Sequence, residues 1–269
     1  MIGRRFRRPR INWDGDSFTL GNAKFKILPD GVFEKHVDWD GAKFFVFKDR
    51  ELVDMYAATI ERLRPKRIME LGVFQGGSTA LLLELARPRR LVAIDRTDMP
   101  GDHVVETYAA NRGFKDVVHM HGDFDQADRS RLAELVRTEF DDERLDLVID
   151  DCSHMYEPTR ASFNELFPRL RPDGLYMIED WSWAHTAVGV DPVEGLWPEQ
   201  TPLTRLLFEL VLAIPSVPGL IADVSVAHRA AVVRRGDAEI GPDGFDISAC
   251  SNPRGRELIA PAALSGESS

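Results

Sequence analysis

From Asp49 onward the apolar positions fall into two alternating patterns. Leu52, Met55, Tyr56, Ile60 and Leu63 recur at three- and four-residue spacing and stop before Pro65, which predicts a helix. Short continuous apolar runs then alternate with helical stretches. Strands are predicted at 67–71 (RIMEL), 90–94 (RLVAI), 117–121 (VVHMH), 145–150 (LDLVID) and 175–178 (LYMI). Helices are predicted at 78–86, 103–112, 127–139, 158–170 and 203–213. Strands separated by helices pair in parallel with helices on both faces, so the chain is expected to be α/β, a doubly wound and mostly parallel sheet. Residues 220–227 and 230–235 read as two more strands, too close for a crossover helix, and are expected to pair antiparallel as an edge hairpin. That makes seven strands.

The flanks read differently. Residues 11–48 look irregular with short extended pieces such as Phe18-Thr19-Leu20. They are rich in aromatics, Phe33, Trp39, Phe44, Phe45 and Phe47 among them, as in a cover or lid over a site. The stretch after Gly241, rich in Pro, Gly and Ser, is expected to be loose. The expected organisation is therefore an N-terminal arm or lid over 1–48, the main domain over 49–240 and a loose tail over 241–269.

Composition narrows the function classes. With 269 residues, 43% hydrophobic and 29% charged, the chain has enough apolar material for a core. No apolar run reaches the ~18 residues of a membrane helix. The basic start, MIGRRFRRPRINW, has no apolar stretch behind it and does not read as a secretory signal. The formal net charge is −10, and the first ten residues hold five arginines and no acid. So acidic a body disfavours a nucleic-acid partner. Two cysteines, Cys152 and Cys250, suggest reduced thiols in a cytoplasm.

In a doubly wound sheet, ligands bind beyond the carboxyl ends of the strands. The polar residues of interest fall there: Glu70 to Ser78, Asp95, Asp123, Asp150 to His154, and Glu179 to His185. The first loop, Glu70-Leu-Gly72-Val-Phe-Gln-Gly76-Gly77-Ser78, lacks the second glycine of a pyrophosphate loop, which disfavours a nicotinamide dehydrogenase. An acid ahead of Gly72 suits a cationic ligand better than a phosphate. Asp95 stands where a ribose diol is usually gripped, and Asp123 could hold an adenine amino group; the alternative for each is a helix cap or turn residue.

These residues, in this order, resemble the class I S-adenosylmethionine-dependent methyltransferases. The downstream stretch narrows the likeness: Leu147-Val-Ile-Asp-Asp-Cys-Ser-His154, then Tyr156, Thr159, Ser162-Phe163, Leu166-Phe167-Pro168, Gly174 and Ile178-Glu179-Asp180. It is similar to the metal-dependent sugar O-methyltransferases that act on macrolide deoxysugars and on mycobacterial methylmannose polysaccharide. Cys152 departs from the glycine usual there. The resemblance implies S-adenosylmethionine as donor, held by Glu70, Gly72, Gly76, Ser78, Asp95 and Asp123. It implies Mg²⁺ or a similar divalent cation on Asp151, Glu179 and Asp180, with Asp150 as the reserve ligand. It makes His154 the general base, with His185 in reserve, and a sugar hydroxyl the acceptor. Tyr156, Trp181 and Trp183 are candidates for a sugar platform or for plain core. A homodimer is a further expectation. The competing expectations are a catechol-type methyltransferase and a non-catalytic nucleoside-binding module.

Overall fold

The computed structural model describes residues 10–28, 43–96, 102–186, 200–241 and 243–259. Two sheets form. The smaller is β1 (Ile11–Asp14), β2 (Ser17–Leu20), β3 (Ala23–Ile27) and β4 (Phe44–Val46), hydrogen-bonded in that order. β1–β2 and β2–β3 are antiparallel, whereas β4 joins β3 in parallel. Gly15 and Gly21, at φ 61° and 60°, open the two tight turns, where a positive φ suits glycine. Phe18, Leu20 and Phe25 point inward, with Phe18 stacked on Phe25 at 4.8 Å. The alternation along this stretch thus builds a real sheet, a more regular structure than the irregular cover expected for it. Phe33 and Trp39 lie outside the described residues.

The larger sheet holds β5 (Arg67–Leu71), β6 (Arg90–Ile94), β7 (Val118–His121), β8 (Leu145–Asp150), β9 (Leu170–Glu179), β10 (Ile221–Val226) and β11 (Ala230–Arg235). Its order is β10-β11-β9-β8-β5-β6-β7. β7, β6, β5, β8 and β9 run parallel, and β11 and β10 close the edge antiparallel, as expected. The chain winds outward from β5 through β6 to β7 and returns on the other side at β8, so the order reverses between β5 and β8.

Successive strand residues serve opposite faces. Ile68, Leu91 and Ala93 join a core with α1 (Arg50–Leu63), α2 (Gly77–Ala86) and α3 (Asp102–Arg112). Met69, Val92 and Ile94 join a second core with α4 (Arg129–Phe140), α5 (Tyr156–Leu166) and α6 (Thr204–Ser216). The smaller sheet packs on the first of these cores through Phe18, Phe25 and Phe44. α1 starts where the Asp49 carboxylate accepts from the Leu52 amide at 2.8 Å, and ends at Arg64, left-handed at φ 52°, before Pro65.

Two local expectations change. The helix predicted to reach 170 ends at Leu166. A 3-10 turn, Phe167–Arg169, follows, and β9 begins at Leu170. Pro168 at the start of that turn has no amide hydrogen to continue an α-helix. Nor is the stretch just after Gly241 loose. Phe245 and Ile247 are buried, Asp246 pairs with Arg160 at 3.2 Å, and α7 (Pro253–Ile259) follows. Residues 260–269 lie outside the described residues. Among those described, no helix is long and apolar enough to cross a membrane.

Candidate active site

The loops after β5 and β8 meet at the reversal of strand order. The Asp151 amide donates to the Leu71 carbonyl at 2.8 Å, and the Gly72 amide to Ile94 at 2.9 Å. Gly76, at φ 78°, caps α2. Gly77 lies so close to the smaller sheet that a Cβ there would stand 1.8 Å from the Phe45 carbonyl oxygen.

Glu70 is buried in β5. One carboxylate oxygen accepts from the Thr79 hydroxyl at 2.7 Å, and the other, Oε1, has no protein partner. Burial pushes its pKa up to about 7 against the pull of hydrogen bonds from Ser78 and Thr79. Asp95 follows β6. Its Oδ2 accepts from the amides of Val73 at 2.9 Å and Phe74 at 3.0 Å, which holds the glycine loop open. Phe74 sits at φ 51°, outside the usual range for a side chain of its size, and edges against Phe47 with ring centroids 5.0 Å apart. Asp123 follows β7, is exposed, and lies next to Phe124, whose amide donates to the Asp95 carbonyl at 2.9 Å. Glu70, Gly72, Gly76, Ser78, Asp95 and Asp123 thus share the carboxyl end of the sheet.

Beside them lies an acidic cluster. Asp151, His154 and Asp180 offer side-chain ligand atoms within 4.8 Å of one another. His154 Nε2 is 3.9 Å from Asp151 Oδ1, and its ring stacks on Trp183 at 5.4 Å. His154 and Asp180 both hold left-handed backbone, at φ 55° and 49°. Strained residues of this kind persist where the surroundings over-determine them, and they concentrate at functional sites. The Asp180 amide donates to the Arg229 carbonyl at 2.8 Å, and Arg229 Nη1 lies 3.4 Å from Asp180 Oδ1. Burial, reinforced by Asp151, raises the Asp180 pKa.

Glu179 is buried and turned toward α1. Its Oε2 accepts from Lys48 Nζ at 2.6 Å, and its Oε1 from the Tyr56 hydroxyl. Lys48 also donates to Asp151 Oδ2 at 2.8 Å. Burial alone would lower the lysine's pKa. The two carboxylates outweigh it and keep the ammonium charged. Lys48 and Tyr56 were not among the residues expected at the site. The only sequence signal for Lys48 is a cation closing the apolar run Phe44–Phe47.

Other expectations resolve the opposite way. Asp150 points into the core, where Tyr176 at 2.7 Å, Ser162 at 2.8 Å and Gln126 at 3.1 Å donate to its carboxylate. Burial pushes its pKa up to about 6, against those hydrogen bonds. It does not join the acidic cluster. Tyr156 is likewise buried and donates to Glu209 at 2.7 Å, so it is core and not a platform. Trp181 donates to the Ala227 carbonyl at 2.8 Å, and His185 pairs with Thr204 on α6. Cys152 is half-buried against the second core, and burial raises its thiol pKa.

Residues 69–181 match a family described as a methyltransferase domain. Demethylmacrocin O-methyltransferase of Streptomyces fradiae is 50% identical over 52 residues, 19% of this chain and 13% of that protein. Mycinamicin VI 2''-O-methyltransferase of Micromonospora griseorubida is 50% identical over 53 residues, again 19% and 13%. Among solved structures, the mycinamycin-pathway methyltransferase MycE, in complex with Mg, S-adenosylhomocysteine and mycinamycin VI, is 29% identical with a TM-score of 0.52. The match covers 71% of this chain and 50% of that one, so the chain spans about half the length of MycE. A caffeoyl-CoA O-methyltransferase-like structure from Staphylococcus aureus, 14% identical with a TM-score of 0.50, shares the fold.

Proposed function

We propose that this chain, a class I methyltransferase domain resembling the metal-dependent sugar O-methyltransferases, moves a methyl group from S-adenosylmethionine to a sugar hydroxyl. The observation that carries the proposal is one juxtaposition. The loop of Gly72, with a buried acid behind it and Asp95 beneath it, touches the loop that bears Asp151 and His154.

S-adenosylmethionine supplies an electrophilic methyl on a cationic sulfur beside an amino acid and a ribose. Glu70 would face the donor's ammonium, and its unpartnered Oε1 fits a missing cationic donor of hydrogen bonds. Asp95 would take the ribose, Asp123 the adenine side, and Gly72, Gly76 and Ser78 would line the approach.

Asp151, His154 and Asp180 offer ligand atoms within 4.8 Å of one another, a donor set that fits a hard divalent cation such as Mg²⁺, while Glu179 lies beside them and is joined to Asp151 through Lys48. Asp151, Glu179 and Asp180 would hold the ion, which supplies a Lewis acid that makes an alkyl hydroxyl easier to ionise. His154 would take the hydroxyl proton on Nε2 as the methyl moves. Trp183, stacked on the His154 ring, would keep that imidazole oriented and would offer an aromatic wall to the C–H face of a sugar ring. Two free cysteines support action in a reducing cytoplasm.

A labelled-methyl screen across sugar-bearing acceptors, run with and without a chelator, tests the proposal. Expected are transfer to a deoxysugar or mannoside hydroxyl and its loss on chelation. Transfer to catechols alone, or undiminished transfer after exhaustive chelation, would reject it.

A further inference from the structure

Lys48 takes no part in the transfer chemistry just described, yet it is a buried cation tied to two of the carboxylates at the site. β4 fixes the backbone before it, and Asp49, the cap of α1, fixes the backbone after it. The side chain is buried, with Nζ 5.2 Å from the centroid of the Tyr56 ring. Its ammonium spans Glu179 Oε2 and Asp151 Oδ2, while the Tyr56 hydroxyl takes Glu179 Oε1. Both oxygens of Glu179 and one of Asp151 therefore already accept protons from this chain. A divalent ion seeks the same oxygens, at roughly 2.0–2.1 Å for Mg²⁺.

We propose that Lys48 is a built-in counter-ion of this cluster: it holds Asp151 and Glu179 in the metal-free chain and gives them up when a divalent ion enters. The inference rests on the reading of the cluster as a metal centre. Buried Glu179 and half-buried Asp151, held on one ammonium, repel each other unless a cation stands between them. Lysine suits that duty. Its ammonium is a compact point charge on a flexible four-carbon stem, able to swing aside, whereas an arginine fork would lock both acids. Asp151 Oδ1, on the His154 side, is the carboxylate oxygen that Lys48 leaves alone. Asp151 Oδ1 and Asp180 would be within an ion's reach without displacing Lys48, whereas Glu179 would have to leave the lysine to join them. Lys48 thus lowers metal affinity and holds the two carboxylates in place until an ion displaces it.

Mn²⁺ binding to the full metal-free chain, measured by calorimetry, tests this on the wild type, Lys48→Met and Lys48→Arg. Lys48→Met is expected to bind Mn²⁺ at least about tenfold tighter than wild type, a difference of about 1.4 kcal/mol. Lys48→Arg is expected to bind more weakly than Lys48→Met. If wild type binds Mn²⁺ and Lys48→Met binds it equally or less tightly, this inference is overturned and the metal reading stands. If wild type takes up no Mn²⁺, both fall. Should Lys48→Met not fold, reductive methylation of the wild type read by mass spectrometry decides. Lys48 should be protected in the metal-free chain and modified several-fold faster with Mn²⁺ bound. Equal modification with and without the ion overturns the proposal.

Discussion

A Cβ on Gly72 would stand 1.9 Å from the carbonyl oxygen of Asp151, so the glycine loop after β5 and the loop after β8 are in backbone contact. Gly72 also sits at φ 90°, where a side chain is strained whatever the space. Gly72→Ala therefore has to push the two loops apart. A loss of about 2 kcal/mol or more in stability is expected, together with weaker donor binding. Thermal denaturation and calorimetry with S-adenosylmethionine check both. An alanine variant with unchanged donor affinity would mean that the contact is not part of the donor site.

Glu70 gives a pH signature. Its pKa in the folded chain is pushed to about 7, above the ordinary 4.5, chiefly by burial. The folded chain then holds this proton where the unfolded chain has released it. The group's stabilising effect is fully present below pH 4.5 and is lost as pH rises through about 7. A donor ammonium facing the carboxylate reverses the burial effect and favours ionisation, so binding near pH 6.5 should release a proton. Donor binding measured in buffers of differing ionisation enthalpy reads that release directly. Glu70→Gln should abolish it, and a wild-type chain that releases no proton would separate Glu70 from the donor's ammonium.

Much of this was legible in the pattern of apolar runs. Strands 67–71, 90–94 and 145–150 emerge with the expected bounds because each is buried on both faces and carries no competing helical period. Their ends then locate Glu70, Asp95 and Asp151 without further information, since strand polarity fixes which end each residue occupies. Lys48 was not legible. It reaches Glu179, 131 positions away, only because β4 and α1 pack beside the end of β9. Nothing local encodes that approach. The sequence leaves Tyr156 open between platform and core, and the structure makes it core. Its place near His154 in sequence fits either reading; it opens α5 and turns its hydroxyl toward buried Glu209. The early start of β9 hides behind Pro172 and Gly174, residues that usually mark a turn.

Tyr176 and Asp150 supply a stability test that leaves the acidic cluster alone. The Tyr176 hydroxyl is fully buried and donates to Asp150 Oδ2 at 2.7 Å. Tyr176→Phe removes one donor from a buried carboxylate and should cost about 1–3 kcal/mol in chemical denaturation. Mn²⁺ affinity should stay within about twofold, since Asp150 faces the core. A large loss of metal affinity would instead put Asp150 in the metal site.

His154 is the residue on which the proposed chemistry turns. Its left-handed backbone, its stacking on Trp183 and its 3.9 Å approach to Asp151 Oδ1 hold the imidazole at the edge of the cluster. If it is the base, His154→Ala should lower turnover by roughly 10²–10⁴-fold, the usual worth of positioned proton transfer. Mn²⁺ and donor affinities should then change little, and higher pH should partly restore the alanine variant as hydroxide takes over the proton. The same geometry permits a second role, because the imidazole offers a ligand atom within 4.8 Å of those of Asp151 and Asp180. As a ligand, the histidine would carry metal affinity with it, and the variant would lose Mn²⁺ and turnover together, with no rescue by pH. His185, tied to Thr204 on α6, makes a third outcome measurable. Near-normal turnover in His154→Ala, abolished by adding His185→Ala, would move the base there. Turnover, Mn²⁺ affinity and donor affinity measured on these variants assign the proton to one imidazole or to neither.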